Sequence, residues 1–245
     1  GLMRASEDPV LAVRMVAAEQ LAEIVPQSRG AGDAATFAKS EQSGPQINQK
    51  PSSDPFSKLF EEYLLVQSQH LDMPSVLTQL SGFQQARGNE AKAEALLLAA
   101  LEKNPQASAS RVNLADLYRA QGKEGAARSV LEAGIRLSER DASLWFSLAL
   151  LEVREGNGTQ ALRALQTAAM LEETPGYYHY VYAVAQHDQG RPEEALATLR
   201  ATHRVAPGQP NILAALVQYS QLAGDMDSAR RYQTELRSTL RDAGL

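Results

Sequence analysis

The chain has 245 residues, 44% of them hydrophobic, which is ordinary for a globular protein of one large or two small domains. The formal net charge is −5, with both signs interspersed, and no apolar run reaches the roughly 18 residues of a membrane-spanning helix. Neither a nucleic-acid partner nor membrane insertion is therefore predicted. The absence of cysteine excludes disulfides, thiolate metal ligands, a cysteine nucleophile and thioether-bound haem.

Residues 1–25 are predicted to form one helix. Its stretch EDPVLAVRMVAAEQLAEIV places apolar residues on a single stripe at helical spacing. The stripe consists of Val10, Val13, Ala17, Leu21 and Ile24. This stretch resembles the second half of a HEAT repeat without its partner helices, so we expect it to dock on the helix predicted over 55–71 or on a second molecule, giving a weak homo-oligomer. The start lacks the features of a signal peptide, and we expect a fragment of a longer protein.

Residues 26–54 read as a linker, because they combine prolines and glycines with many Ser, Gln and Asn residues. Asp54 then caps a helix that begins at Pro55. The apolar spacing of this helix indicates one buried face, formed by Phe56, Leu59, Phe60, Tyr63 and Leu64. Residues 55–73 are predicted to be a half repeat at the start of a domain that continues to residue 245.

A fixed period of 34 residues runs through the rest of the chain. It is marked by the glycines Gly88, Gly122, Gly156, Gly190 and Gly224. An alanine follows each of them five positions later, at Ala93, Ala127, Ala161, Ala195 and Ala229. Such a period is typical of a tandem repeat array. The five predicted repeats are 74–107, 108–141, 142–175, 176–209 and 210–243.

Each repeat is predicted to be a helical hairpin, because two stripes of apolar residues at helical spacing flank the glycine. We expect helices over about 74–87 and 91–104 and at the equivalent positions in later repeats. A positive φ at the glycine lets the first helix end and the chain reverse. One hairpin cannot bury enough surface alone, so the hairpins must stack into an all-α solenoid.

This pattern resembles the tetratricopeptide repeat, which implies a right-handed superhelix of antiparallel helix pairs. Matching residues are Leu77, Leu80, Ala93 and Pro105 in the first repeat, Leu114, Tyr118 and Ala127 in the second, Trp145, Leu148 and Ala161 in the third, Ala183, Ala195 and Pro207 in the fourth, and Leu213, Leu216 and Ala229 in the fifth. The resemblance implies a non-catalytic scaffold that binds a protein or peptide in a concave groove lined by the first helices.

The HEAT-like start followed by this array is also similar to the C-terminal region of bacterial multihaem cytochromes c. That resemblance leaves an alternative function open, a structural or docking arm of a larger redox protein. No CxxCH motif occurs in the chain, so any haem would belong to upstream domains, and no cofactor is predicted here. The resemblance implies a periplasmic location; without it we expect a cytoplasmic protein, and the sequence itself does not assign a compartment.

The stretch GYYHYVYAVAQHDQG, which begins at Gly176, suggests a metal or catalytic site at first sight. In the repeat register, however, His179 and Tyr182 take packing positions, whereas Tyr177, Tyr180 and His187 face the groove. The two histidines lie two helical turns apart, and Asp188 should point about 100° away from His187 on a helix. We therefore predict no metal site, no catalytic residue and no enzyme.

The groove residues that the register selects are aromatic, charged or amide-bearing, and aromatic and arginine side chains are enriched in binding hot spots. They are Asp116, Arg119, Phe146, Arg154, Tyr177, Tyr180, His187, Asp188, Gln218 and Gln221. We expect Arg154 to lie beside the rings and take an acidic ligand group, and Arg128 and Arg163 to lie on the opposite, convex side. A solvated surface without a dedicated ligand is the alternative.

Overall fold

The computed structural model describes residues 73–242. The HEAT-like helix, the linker and all of the half repeat except Met73 lie outside these residues. Within the described part of the chain every regular element is an α-helix, as predicted, and none of its helices is long and apolar enough to cross a membrane.

The helices follow one another in pairs and fall into two compact units that divide after Lys103. The first unit contains α1 (Pro74–Ala86) and α2 (Glu90–Lys103). The second unit contains α3 (Ser108–Ala120), α4 (Glu124–Leu137), α5 (Ala142–Arg154), α6 (Gly158–Leu171), α7 (Tyr177–Asp188), α8 (Pro192–Val205), α9 (Pro210–Leu222) and α10 (Met226–Asp242). The predicted helix boundaries are confirmed to within two residues.

The turn at Gly156 shows why the glycines recur. Its φ is +78°, a left-handed conformation that side-chain-bearing residues adopt at a cost. The Gly156 N–H donates to the carbonyl of Val153 at 3.1 Å, and the Asn157 N–H donates to that of Glu152 at 2.8 Å. This pair of bonds is a Schellman motif, which satisfies the last carbonyls of α5 before the chain reverses into α6.

The core of the first unit lies between α1 and α2. Leu77, Leu80 and Leu97 are buried there beside Ala93 and Ala100. The two alanines are almost fully inaccessible to solvent, which indicates that they occupy the positions where the two helices approach each other closely.

In the second unit the same small residues recur in every hairpin. Ala127, Ala161, Ala195 and Ala229 are all buried at the start of the second helix. Gly134 fills a similar position on α4, where an added Cβ would lie 2.6 Å from Arg111 Cδ and 3.0 Å from a Leu144 methyl group. The leucines of the motif pack around these positions, and fully buried examples are Leu114, Leu131, Leu144, Leu165, Leu199 and Leu216.

Stacking in the second unit follows the repeat order. The second helix of each hairpin packs against the first helix of the next, so α4 lies on α5, α6 on α7 and α8 on α9. The first helices also contact one another, α3 with α5 and α7 with α9. We call the surface lined by α3, α5, α7 and α9 the first-helix face.

Candidate functional site

Four aromatic rings gather on the first-helix face where α5 and α7 meet. Phe146 on α5 stacks on Tyr178 with a centroid distance of 4.6 Å and an interplanar angle of 26°. The rings of Phe146 and Tyr177 meet edge to face with a centroid distance of 5.6 Å, and the ring centroids of Tyr177 and Tyr180 lie 6.4 Å apart. We call these four side chains the aromatic row. The predicted association of Phe146, Tyr177 and Tyr180 is seen in the structure.

Tyr178 is the member of the row that the register did not select. It occupies a position between two groove positions, yet it is half-buried and stacked against Phe146. Burial, and then the nearby carboxylates of Glu172 and Asp141, raise the pKa of its hydroxyl. The sequence feature that could have identified Tyr178 is the run of tyrosines itself, which contains more aromatic residues than there are groove positions in that stretch.

The first turn of α7 is held by Glu172. Its carboxylate accepts hydrogen bonds from the Gly176 N–H at 3.0 Å and, at 3.4 Å, from the Tyr178 N–H. The same carboxylate lies 2.9 Å from His179 Nδ1. A carboxylate suits this place because the N-terminus of a helix carries unpaired N–H groups and positive dipole charge. Glu172 therefore occupies the position where an anion would otherwise bind.

A cavity of about 330 Å³ opens beside the aromatic row, between the N-terminal ends of α7 and α9. Its lining is formed by Gly176, Tyr177, Tyr180, Gln209, Pro210 and Asn211. The Gln209 amide donates to the carbonyl of Pro175 at 2.7 Å, which ties the segment before α9 to the segment before α7. Tyr177 is 56% exposed at the edge of this cavity, a high value for so large a ring.

His187 lies further along α7 and belongs to a second aromatic contact. Its ring stacks on Tyr219 of α9 at 4.2 Å, with an interplanar angle of 10°. Burial first, and then the charge of Asp188 and the neighbouring Tyr180, raise the pKa of Tyr219. Tyr219 was not predicted, because its position in the repeat is a packing position and the ring is buried.

His187 and Asp188 are adjacent on α7, where successive positions are about 100° apart, and His187 Nδ1 lies 3.8 Å from Asp188 Oδ1. Nevertheless, residues 73–242 contain no group of three His, Asp or Glu side chains placed to hold a metal ion.

The charged residues of the predicted groove are paired within the protein. Arg154 does not lie beside the rings as expected; its Nε lies 2.8 Å from a carboxylate oxygen of Glu124 at the start of α4. Arg119 pairs with Asp116 at 2.6 Å. Burial raises the pKa of Asp116, against the opposing effect of Arg119. Each arginine thus holds a carboxylate within the protein, and the Arg154 side chain remains 59% exposed.

The two predicted glutamines lie apart from the row. Gln218 and Gln221 are exposed on α9, and their role in the groove stays a prediction. The structure thus gathers the aromatic predictions into one row, places His187 and Asp188 at a second contact, and distributes the remaining residues along the face.

Stacked helical hairpins with a row of aromatic rings on one face, of which Tyr177 is exposed, define a helical-repeat protein. Models of the tetratricopeptide repeat match residues 84–142, 118–178 and 176–201. Residues 84–201 therefore match the tetratricopeptide repeat, as the 34-residue period predicted for this part of the chain. Neither the HEAT resemblance nor the cytochrome resemblance has a counterpart among these matches.

Several solved structures have a similar fold. The crystal structure of MamA is 17% identical, with a TM-score of 0.55 over 67% of this chain and 96% of that one. Pseudomonas aeruginosa PilF is 17% identical, with a TM-score of 0.57 over 68% and 76%. YrrB, described as a TPR protein with an unusual peptide-binding site, is 16% identical, with a TM-score of 0.50 over 73% and 92%. No curated protein sequence gives a significant match.

Proposed function

We propose that the chain is a non-catalytic scaffold that binds a peptide or protein segment on the first-helix face, at the aromatic row. The observation that carries the proposal is the exposure of Tyr177, a residue that is 56% accessible although three other ring centroids lie 5.6–6.4 Å from its own. A folded protein gains stability by burying such a ring, so an exposed one beside a cavity points to a partner.

The surrounding contacts make the row a rigid surface. Phe146 is packed against the core between α5 and α6, and Tyr180 is packed against the core between α7 and α9. Side chains already fixed in place lose little conformational entropy on binding, which favours affinity. Tyrosine is also among the residues most often found in binding hot spots. The peptide-binding site named for the structurally similar YrrB agrees with this function.

A docking arm of a larger multihaem cytochrome is the rival function. In that case the occupant of the first-helix face would be an upstream domain of the same polypeptide. Adding the separately produced upstream region to the isolated chain distinguishes the two, because only the rival predicts that this region competes with peptide ligands.

The proposal is tested by selecting ligands from a random peptide display library on the wild-type chain. Selected peptides are then measured by fluorescence anisotropy against the variant Tyr177→Ala/Tyr180→Ala. We expect the affinity to fall at least about tenfold, the effect of losing hot-spot contacts. Unchanged binding of every selected peptide would contradict the proposal.

The matched control is Arg163→Ala, since Arg163 is exposed on the second helix α6. It should leave peptide affinity unchanged. Arg128, the other residue predicted on the convex side, is not an inert control, because it bridges two glutamates between repeats. Arg154 is likewise unsuited to the binding variant, since its removal would strand Glu124.

A further inference from the structure

We infer that the segment bound at the aromatic row is basic and places an arginine or lysine side chain against the ring of Tyr177. This inference rests on the proposed function and narrows it to one class of partner. A cation is attracted to the face of an aromatic ring when it lies within about 6 Å of the ring centroid, and arginine also stacks flat on such rings. The row supplies four rings, and Tyr177 is the largely exposed residue among them.

The rings of the row are not already covered by cations of residues 73–242. In that part of the chain, the cations that lie over rings are Lys123, 5.7 Å from the Tyr118 centroid, and Arg231, 5.1 Å from that of Tyr232. Neither of these two rings belongs to the row. The row is thus left open to a cation that a partner supplies.

Carboxylates lie at the N-terminal ends of both helices that carry the row. Asp141 begins α5 and accepts a hydrogen bond from the Ser143 N–H at 2.9 Å, and Glu172 holds the first turn of α7. An ionised carboxylate carries a full negative charge, whereas the helix end beside it contributes only about half a positive charge. Net negative charge therefore remains at each end. It acts on the row, since burial and then the charges of Glu172 and Asp141 raise the pKa of Tyr178.

The segments that lead into these two helices are acidic overall. Residues 139–141 and 172–173 contain four acidic side chains and one basic side chain, Arg140. Glu173 is exposed, and no ion pair among residues 73–242 includes it. The two arginines of the predicted groove are each offset by a carboxylate of the protein itself. Charge complementarity therefore favours a basic occupant over an acidic one.

The cavity beside the row is assigned to the uncharged neighbours of the basic residue. It opens at the N-terminal end of α9, where Pro210 begins the helix and no side chain of the described residues caps it. The positive end of that helix dipole disfavours a cation inside the cavity. The basic side chain is therefore expected on the side of the row toward Phe146 and Tyr178, between α5 and α7.

Three fluorescent, end-blocked peptides of equal length test the charge of the ligand. The first repeats Gly-Arg-Ser, the second replaces arginine with citrulline, which keeps the shape and loses the charge, and the third replaces it with glutamate. Fluorescence anisotropy should show saturable binding of the arginine peptide, at least about fivefold tighter than that of the citrulline peptide. The difference should shrink between about 50 and 500 mM salt, because exposed charges are screened. The glutamate peptide should bind most weakly.

Two variants separate the contribution of the rings from that of the carboxylates. Tyr177→Ala/Tyr180→Ala should weaken binding of the arginine peptide at least about tenfold, with Arg163→Ala as the matched control. Asp141→Asn/Glu173→Gln should weaken it about two- to fivefold and leave the citrulline peptide unaffected, a selective loss that a distorted surface would not give. Asparagine caps a helix as well as aspartate does, so α5 should keep its start.

The inference is overturned if the arginine peptide does not bind, binds no better than the citrulline peptide, or binds equally well without the two tyrosines. An unchanged affinity of the arginine peptide for Asp141→Asn/Glu173→Gln would also overturn it, as would tighter binding of the glutamate peptide. If the display selection yields peptides that require the tyrosines but carry no basic residue, the inference fails while the proposed function stands. If no selected peptide requires the tyrosines, both fail.

Discussion

Two neighbouring junctions between repeats are held by different side-chain contacts, although their helices are arranged in the same way. They are the junction between the second and third repeats and the junction between the third and fourth. At the first, Arg128 on α4 binds Glu152 at 2.6 Å and Glu155 at 2.7 Å. Asn157 adds a hydrogen bond of 2.8 Å to Glu152. At the second, the first helices meet through the rings of Phe146, Tyr177 and Tyr178.

The difference shows which junction has surface available for a partner. The side chain of Glu152 is only 7% exposed, and its carboxylate oxygens are bound by Arg128 and Asn157, so this junction is complete within the protein. At the ring junction Tyr177 remains largely exposed, although its ring lies beside those of Phe146 and Tyr178. The ion-pair junction therefore serves stability, and the ring junction is the one proposed to serve binding.

The largest expected effect on stability comes from Arg128→Met. Removing this arginine leaves the buried carboxylate of Glu152 unpaired. A fully buried unpaired charge costs about 3–5 kcal/mol, and since Arg128 is 29% exposed we expect a loss of about 2–3 kcal/mol in the free energy of unfolding. Urea denaturation measures it. In the double variant Arg128→Met/Glu152→Met the loss should shrink; equal losses in both variants would show that the ion pair is unimportant.

The same junction predicts an acid-sensitive stability. Hydrogen bonding to Arg128 lowers the pKa of Glu152 from its usual 4.5, although burial opposes the shift. The carboxylate therefore stabilises the fold above pH 4.5, and this stabilisation is lost as the pH falls through the lowered pKa. Urea melts at descending pH should show a smaller decline for Glu152→Gln than for the wild type. Equal declines for the two proteins would contradict the assignment of the acid sensitivity to Glu152. They would be due instead to carboxylates that both proteins share, such as Asp225, whose pKa is lowered by a hydrogen bond from Ser228.

An intermediate effect is expected for Gly156→Ala, in the turn that positions Glu155 and Asn157 for the ion-pair junction. No atom lies within 4 Å of the added Cβ, so the cost is conformational and should be about 1 kcal/mol. Gly125→Ala is the matched control, because Gly125 lies within α4 with similar open space and a negative φ. Alanine there should stabilise the helix by up to about 1 kcal/mol. If both substitutions stabilise the protein, the turn does not require a left-handed residue.

The smallest effect on stability is expected for Tyr177→Ala, despite the size of the side chain. More than half of this ring is exposed, so its loss should change the free energy of unfolding by less than about 0.5 kcal/mol. Phe146→Ala should cost more, because Phe146 is partly buried against the core between α5 and α6. Similar losses for the two variants in urea denaturation would mean that the row is an ordinary part of the core.

The repeat period predicted the helical hairpins because the same local physics acts in each unit. A glycine with positive φ ends the first helix, and a small residue such as Ala127 or Ala161 permits the close approach of the second. These requirements are met by residues near one another in the chain. They can therefore be read from spacing without knowledge of the tertiary contacts.

The ion pairs were not predictable in the same way. Arg128 and Glu152 are 24 residues apart, and Glu124 and Arg154 are 30 apart, which corresponds to no position of the repeat motif. Which of several nearby carboxylates an arginine binds depends on side-chain geometry. The register therefore selected Arg154 as a groove residue but could not predict its partner. Tyr178 was missed for a similar reason, since its contact with Phe146 lies between two first helices.

The central claim is that the aromatic row of the first-helix face is the binding surface, and amide chemical-shift mapping tests it most directly. The isotopically labelled chain is titrated with a peptide obtained from the display selection. The largest shift changes are predicted in the first turn of α7, around Tyr177 and Tyr180, and at Phe146 on α5. Largest changes on the second helices α4, α6 and α8, with the first turn of α7 unaffected, would contradict the claim.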